Sequence, residues 1–111
     1  MKREENEMKK GFISTRRKGF HMTFPNGLTV SVQWGAGNYC DNHLPADMDF
    51  SYSKDAESNT AEVAVLDSNE DFIDPQQFLN YQINSDGMVA GYLTPTQVAE
   101  LLSNVCNWSN N

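Results

Sequence analysis

Phe20-His21-Met22-Thr23-Phe24, Pro25-Asn26-Gly27 and Leu28-Thr29-Val30-Ser31-Val32-Gln33-Trp34 run consecutively, and their pattern decides the fold. In the first segment Phe20, Met22 and Phe24 alternate with His21 and Thr23. In the second, Leu28, Val30, Val32 and Trp34 alternate with Thr29, Ser31 and Gln33. Strict alternation gives each strand one buried and one wet face. Proline sets φ at the first turn position, Asn tolerates the next, and Gly27 supplies the left-handed residue that returns the chain, so a type I turn with a bulge at Gly27 is predicted. A slip of one residue would expose the whole apolar set, so the register is well specified.

The hairpin runs out into Gly35-Ala36-Gly37-Asn38-Tyr39-Cys40-Asp41-Asn42-His43. Gly35 and Gly37 end the strand, since glycine lacks the side chain that sheet packing uses and admits positive φ. A lone G-x-G without a third glycine and a following amphipathic helix is no dinucleotide site. The segment 38–59 is rich in Asn, Asp and Ser, with Tyr39, Leu44, Met48, Phe50 and Tyr52 as intermittent apolar residues. A connection this long is a candidate binding surface, and Asn38, Tyr39, Cys40, Asp41, Asn42 and His43 are its candidate binding residues.

Further along, Thr60-Ala61-Glu62-Val63-Ala64-Val65-Leu66 reads as the third strand, with Ala61, Val63 and Val65 on one face. Asp67-Ser68-Asn69-Glu70 is a turn, Asp71-Phe72-Ile73 a short strand ended by Asp74-Pro75, and Met88-Val89-Ala90-Gly91-Tyr92-Leu93 the last strand. Residues 76–83 fit either a short helix or a strand. Thr94 as N-cap, Pro95 at the first helical position and Gln97 completing a capping box start a C-terminal helix. Its stripe of Val98, Leu101, Leu102 and Val105 covers the sheet, and Trp108 folds back over one edge of the core. The expected fold is α+β: an antiparallel sheet of about four to five strands with one C-terminal helix packed on a face.

Charge divides the chain. Residues 1–18 hold seven of the eight Lys and Arg residues beside Glu4, Glu5 and Glu7, a net +4; from Gly19 onward Lys54 alone opposes twelve carboxylates, a net −11. The expected organisation is a flexible basic arm over 1–18 and a single domain over 19–111, long enough to bury one core. An acidic body repels nucleic acid and favours basic partners; nucleic acid is expected only at the arm. No apolar run nears the ~20 residues of a membrane helix, and the charged N-terminus lacks a signal-peptide core. Two cysteines, Cys40 and Cys106, make no disulfide framework and are expected as free thiols in a reducing compartment.

Cys40 with His43, or with His21, is the set from which nucleophilic catalysis could be built. A thiolate needs a nearby base and positive potential, whereas Asp41, Asp47 and Asp49 push the thiol pKa up. Cys40, Asp41, His43 and Asp47 supply half of a zinc site. Asp67, Asn69 and Asp71 imitate a calcium loop without its central Gly and distal Glu, which favours a hairpin turn. The acidic residues at large read as a solvated surface. No catalytic residue, metal or cofactor is expected.

Lys18-Gly19-Phe20, Asn26-Gly27 with Thr29-Val30-Ser31-Val32-Gln33, Gly37-Asn38-Tyr39-Cys40-Asp41-Asn42, Thr60-Ala61-Glu62-Val63-Ala64 and Gly91-Tyr92-Leu93-Thr94-Pro95 together resemble a group of short tailed-bacteriophage and prophage proteins. The likeness covers most of residues 18–105 and excludes the arm. That group has no assigned activity, so the resemblance implies a genomic setting and carries over no catalytic residue. With the charge it sets the expectation of a non-enzymatic phage accessory protein that binds and inhibits a basic-surfaced host protein in the bacterial cytoplasm, as an anti-defence factor would. The alternatives are a small-molecule or nucleotide binder or enzyme with a pocket at the 35–59 loop, and a virion or assembly component.

Overall fold

Six antiparallel strands and one long helix make up the described part of the chain, residues 11–16, 18–44 and 57–109 of a computed structural model. The strands are β1 (Phe12–Ser14), β2 (Gly19–Thr23), β3 (Thr29–Gln33), β4 (Ala61–Leu66), β5 (Phe72–Ile73) and β6 (Val89–Leu93). A 3-10 helix (Pro75–Phe78) lies between β5 and β6, and α1 (Pro95–Cys106) closes the chain. The expected α+β architecture is present, with one strand beyond the expected count.

The β2–β3 hairpin pairs Phe20 with Val32 and Met22 with Val30. Its turn is closed by the Gly27 N–H donating to the Phe24 carbonyl at 2.9 Å, with Gly27 at φ +91°, as a type I turn with a glycine bulge requires. β3 pairs with β4, and the far edge of β4 is shared: Val65 and Leu66 face β5, whereas Ala61, Val63 and Ala64 face β6. A bulge sits in β6, where three steps from Ala90 to Leu93 match two from Val63 to Ala61. It places Tyr92 at φ +57°, a conformation that crowds the Cβ of a large residue. Tyr92→Gly is therefore expected to raise unfolding stability by about 1 kcal/mol in urea titration. A loss would show that Tyr92's ring contributes more than its backbone costs.

One face of the sheet makes the core. Val30, Val32, Ala61, Val63, Val65, Ala90 and Leu93 pack under Leu101 and Val105 of α1, with Phe78, Leu79 and Ile83 closing one side. Residues 76–83 resolve into the end of the 3-10 helix and an irregular run that buries those three side chains. The helix begins as its residues demand: the Thr94 hydroxyl accepts from the Gln97 N–H, and the Gln97 side chain accepts from the Thr94 N–H. Trp108 returns to pack edge-on against Phe78, ring centres 4.7 Å apart.

The arm expected over 1–18 needs correction in part. Phe12, Ile13 and Ser14 pair with Met22, His21 and Phe20 as an edge strand, joined to β2 by a turn in which the Lys18 N–H donates to the Thr15 carbonyl. Phe12 and Ile13 stay exposed, so this strand is held by backbone pairing more than by burial. A three-residue edge strand has too few residues to show alternation in sequence. Residues 1–10 and Arg17 lie outside the described residues.

Candidate functional site

Glycine starts the 35–43 loop because of crowding: a Cβ on Gly35 would sit 2.8 Å from the Lys18 side chain. Neither Gly35 nor Gly37 has a positive φ, so at Gly35 close packing and not backbone conformation calls for glycine. From Gly35 the chain folds on itself. The Asn38 side-chain oxygen accepts from the Gly35 N–H at 2.9 Å, and the Leu44 N–H donates to the Ala36 carbonyl at 2.9 Å.

Asn38, Asp41 and Asn42 then tie the loop to the sheet and to the segment that leads into β4. Asn38 donates to the Glu62 carboxylate at 2.9 Å. Asn42 donates to the carbonyls of Trp34 and Glu57, at 2.8 and 2.6 Å. Asp41 accepts from the Thr60 hydroxyl at 2.8 Å, while its own N–H donates to that oxygen. On the other side the Tyr92 N–H donates to the Tyr39 carbonyl at 2.9 Å. Gly91 lets this happen, since a Cβ there would stand 2.8 Å from the Tyr39 Cβ. Asn38, Asp41 and Asn42 thus act as braces, and Tyr39 and His43 remain as the loop's exposed rings, stacked with centres 5.2 Å apart.

The thiol and the imidazole turn to different partners. Cys40 is 1% exposed and its Sγ faces the Gly35 carbonyl at 3.5 Å, whereas His43 Nδ1 lies 2.9 Å from the Asn38 carbonyl. Burial pushes the Cys40 thiol above its usual pKa of 9.0, with the negative charges of Asp41 and Glu62 adding to the rise against hydrogen bonds from Asn42 and Ser58. A protonated, covered thiol is a poor nucleophile. His21 lies mid-strand in β2 opposite Ser31, on the sheet face turned away from α1. Asp47 and Asp49, counted with this site on sequence grounds, lie outside the described residues, as do all of residues 45–56. Among the described residues no three His, Cys, Asp or Glu side chains gather to hold a metal. The calcium-like stretch is a turn, in which Asp67 accepts from the N–H groups of Asn69 and Asp71.

These thiols give a direct test. Exposed Cys106 is expected to react with a thiol reagent at once and Cys40 only as the domain unfolds. Because the folded state holds the Cys40 proton more tightly than the unfolded one, its contribution to stability is whole below about pH 9 and declines as pH rises. Cys40→Ala should flatten that alkaline decline; an unchanged decline would place its origin elsewhere.

Concavities formed by the described residues border the loop or lie beyond it. A recess of about 220 Å³ lies between Tyr39, Asn84, Asp86, Val89 and Gly91. An apolar groove of about 330 Å³ runs between Phe20, Trp34 and Leu93 on the sheet and Val98 and Leu102 on α1, with Ser58, Asn59 and Thr60 at its rim. At the opposite end of α1 an open cleft of about 620 Å³ is lined by Tyr81, Glu100, Asn104 and Trp108 among others. Reading the sequence alone misses this cleft, because Tyr81 and Glu100 come together across 19 positions. The available signal is the polar spacing of Glu100, Asn104 and Asn107 along the helix face opposite the apolar stripe. The chain matches no family model, no curated protein and no solved structure.

Proposed function

We propose that this domain is a non-enzymatic binding module whose acidic body engages a protein with a basic surface. In the phage setting implied by the sequence resemblance, it acts as an accessory protein that inhibits a bacterial host protein in the cytoplasm. The observation that carries the reading is the imbalance of charge from Gly19 onward, twelve carboxylates against Lys54.

The way those carboxylates are held supports it. Asp67 and Asp86 accept from backbone N–H groups, Asp74 from a backbone N–H and the Ser85 hydroxyl, Asp41 from Thr60, and Glu62 from the Asn38 amide. Hydrogen bonds from neutral donors orient a carboxylate without cancelling its charge, so the field persists around the body and steers basic partners. No helix among the described residues is long and apolar enough to cross a membrane.

The test is retention of a host protein on the tagged full chain after nuclease treatment. A stoichiometric basic protein should be held, with retention falling as salt rises from about 50 to 300 mM. It should fall again in an Asp67→Asn, Asp71→Asn, Asp86→Asn variant, which keeps the turn-forming oxygens while removing three charges. Retention indifferent to both would reject the charge-driven reading. A second reading, a small apolar ligand, draws on the Phe20 and Trp34 groove at the foot of the 35–59 loop, and a co-purifying small mass lost in Trp34→Ala would favour it.

A further inference from the structure

The cleft between α1 and the 3-10 helix has a consistent chemical bias. Its flanking rings, Tyr81 and Trp108, are 36% and 38% exposed. Three of its donors are committed to the protein: the Tyr81 hydroxyl donates to Glu100 at 2.5 Å, the Asn104 amide to the Phe78 carbonyl at 2.7 Å, and the Asn107 amide to the Ser103 carbonyl at 2.9 Å. Glu100, Asn104 and Asn107 keep acceptor oxygen on offer, since an amide oxygen has two lone pairs and a carboxylate about four acceptor sites.

Charge points the same way. Among the described residues no Lys or Arg lines the cleft, whereas the Glu100 carboxylate does. The cleft also opens at the C-terminal half of α1, whose last turn carries no basic residue. That end of a helix is the negative end of its dipole and favours cations. Asn26 caps its carbonyls with a neutral amide and leaves the sign unchanged. A guest here must be cationic, rich in donors and able to lie against aromatic rings. Guanidinium meets all three conditions, being planar with five N–H donors and stacking on aromatic faces, whereas an ammonium is a hydrated point charge.

We propose that this cleft seats an arginine side chain of the basic partner, an inference that rests on the reading of the domain as a binder of such a partner. The guanidinium lies between Tyr81 and Trp108, with N–H groups directed to Glu100 and the amide oxygens. The rest of the acidic body then acts at longer range, bringing the partner in without fixing its orientation.

The experiment is a two-dimensional ¹⁵N NMR titration of the full chain with Nα-acetyl-arginine amide. Its citrulline counterpart, uncharged and of nearly the same shape, and Nα-acetyl-lysine amide are the comparators. Arginine is expected to shift the Trp108 indole N–H and the amides around Tyr81 and Asn104, lysine to do so more weakly, and citrulline to leave them in place. Glu100→Gln should weaken arginine binding about threefold, while Glu57→Gln, the same charge change at an exposed site outside the cleft, should not. Equal shifts with citrulline, shifts spread evenly over the acidic loops, or equal weakening by the two variants would each overturn the site. Since the probe is a single amino-acid derivative, failure of the cleft to take arginine and failure of the domain to retain a basic protein are read in separate experiments and are told apart.

Discussion

Replacing Leu101 by alanine is expected to cost the domain about 4 kcal/mol, whereas the same change at its neighbour Leu102 costs about 1 kcal/mol. Both belong to one apolar stripe in the sequence, yet their surroundings differ. Leu101 has no exposed surface and sits against the middle strands beside Val105. Removing its side chain leaves a cavity whose walls are backbone-paired strands that cannot collapse into it. Leu102 is partly buried and lines the open groove with Phe20 and Trp34, so truncation there removes area already half in water. Against a total stability of about 5–15 kcal/mol, the Leu101 loss should lower the melting temperature by roughly 15 °C. Urea titrations of the two variants make the comparison. Equal losses would mean that α1 is rotated about its axis and that the groove has different walls.

What could be read from the sequence is what neighbouring residues settle among themselves. The Pro25-Asn26-Gly27 turn, the alternation in β4, and the Thr94–Gln97 capping box each have their determinants within a few positions, and all are found in place; in β3 the expected wet face is missing, since Thr29 and Ser31 are buried along with Val30 and Val32. β1 could not be read this way, because Phe12 and Ile13 stay exposed and depend on β2 for pairing. The division of β4 between two partners is equally hidden, since nothing local tells Val65 to face Ile73 while Val63 faces Ala90. The loop residues 38–43 were identifiable as special, but the sequence does not distinguish a brace from a binding group. Asn38, Asp41 and Asn42 turn out to reach Glu62, Thr60 and the carbonyls of Trp34 and Glu57. Many of the aspartates likewise do local work as acceptors in turns. Their abundance therefore has a structural cause alongside the electrostatic one, which is why the charge-neutralising test uses asparagine.

Asn26→Asp should destabilise the domain by roughly 3 kcal/mol at neutral pH, although it changes one NH₂ group to an oxygen. Asn26 serves the hairpin turn, its side-chain oxygen accepting from the Leu28 N–H at 3.0 Å. It also reaches across the fold: its amide nitrogen donates to the Val105 carbonyl at 2.8 Å and the Trp108 carbonyl at 3.1 Å, with the Cys106 carbonyl at 3.4 Å. The turn of the β2–β3 hairpin is thus the C-terminal cap of α1, a link spanning 79 positions that the turn chemistry alone does not disclose. An aspartate keeps the bond to Leu28 but sets a negative charge against carbonyl oxygens at the negative end of the helix. Repulsion raises the aspartate's pKa in the folded state above its unfolded value, so the variant's deficit should shrink as pH falls and the carboxyl gains a proton with which to donate. The deficit is therefore greatest above the folded-state pKa. Asn26→Gly, compatible with the turn but without the cap, should lose less than Asn26→Asp at neutral pH and show no such recovery. If all three proteins unfolded within about 0.5 kcal/mol of one another, the tie between hairpin and helix would carry no energy, and α1 would be held on the sheet by its apolar stripe and its bonds to Phe78 and Tyr81.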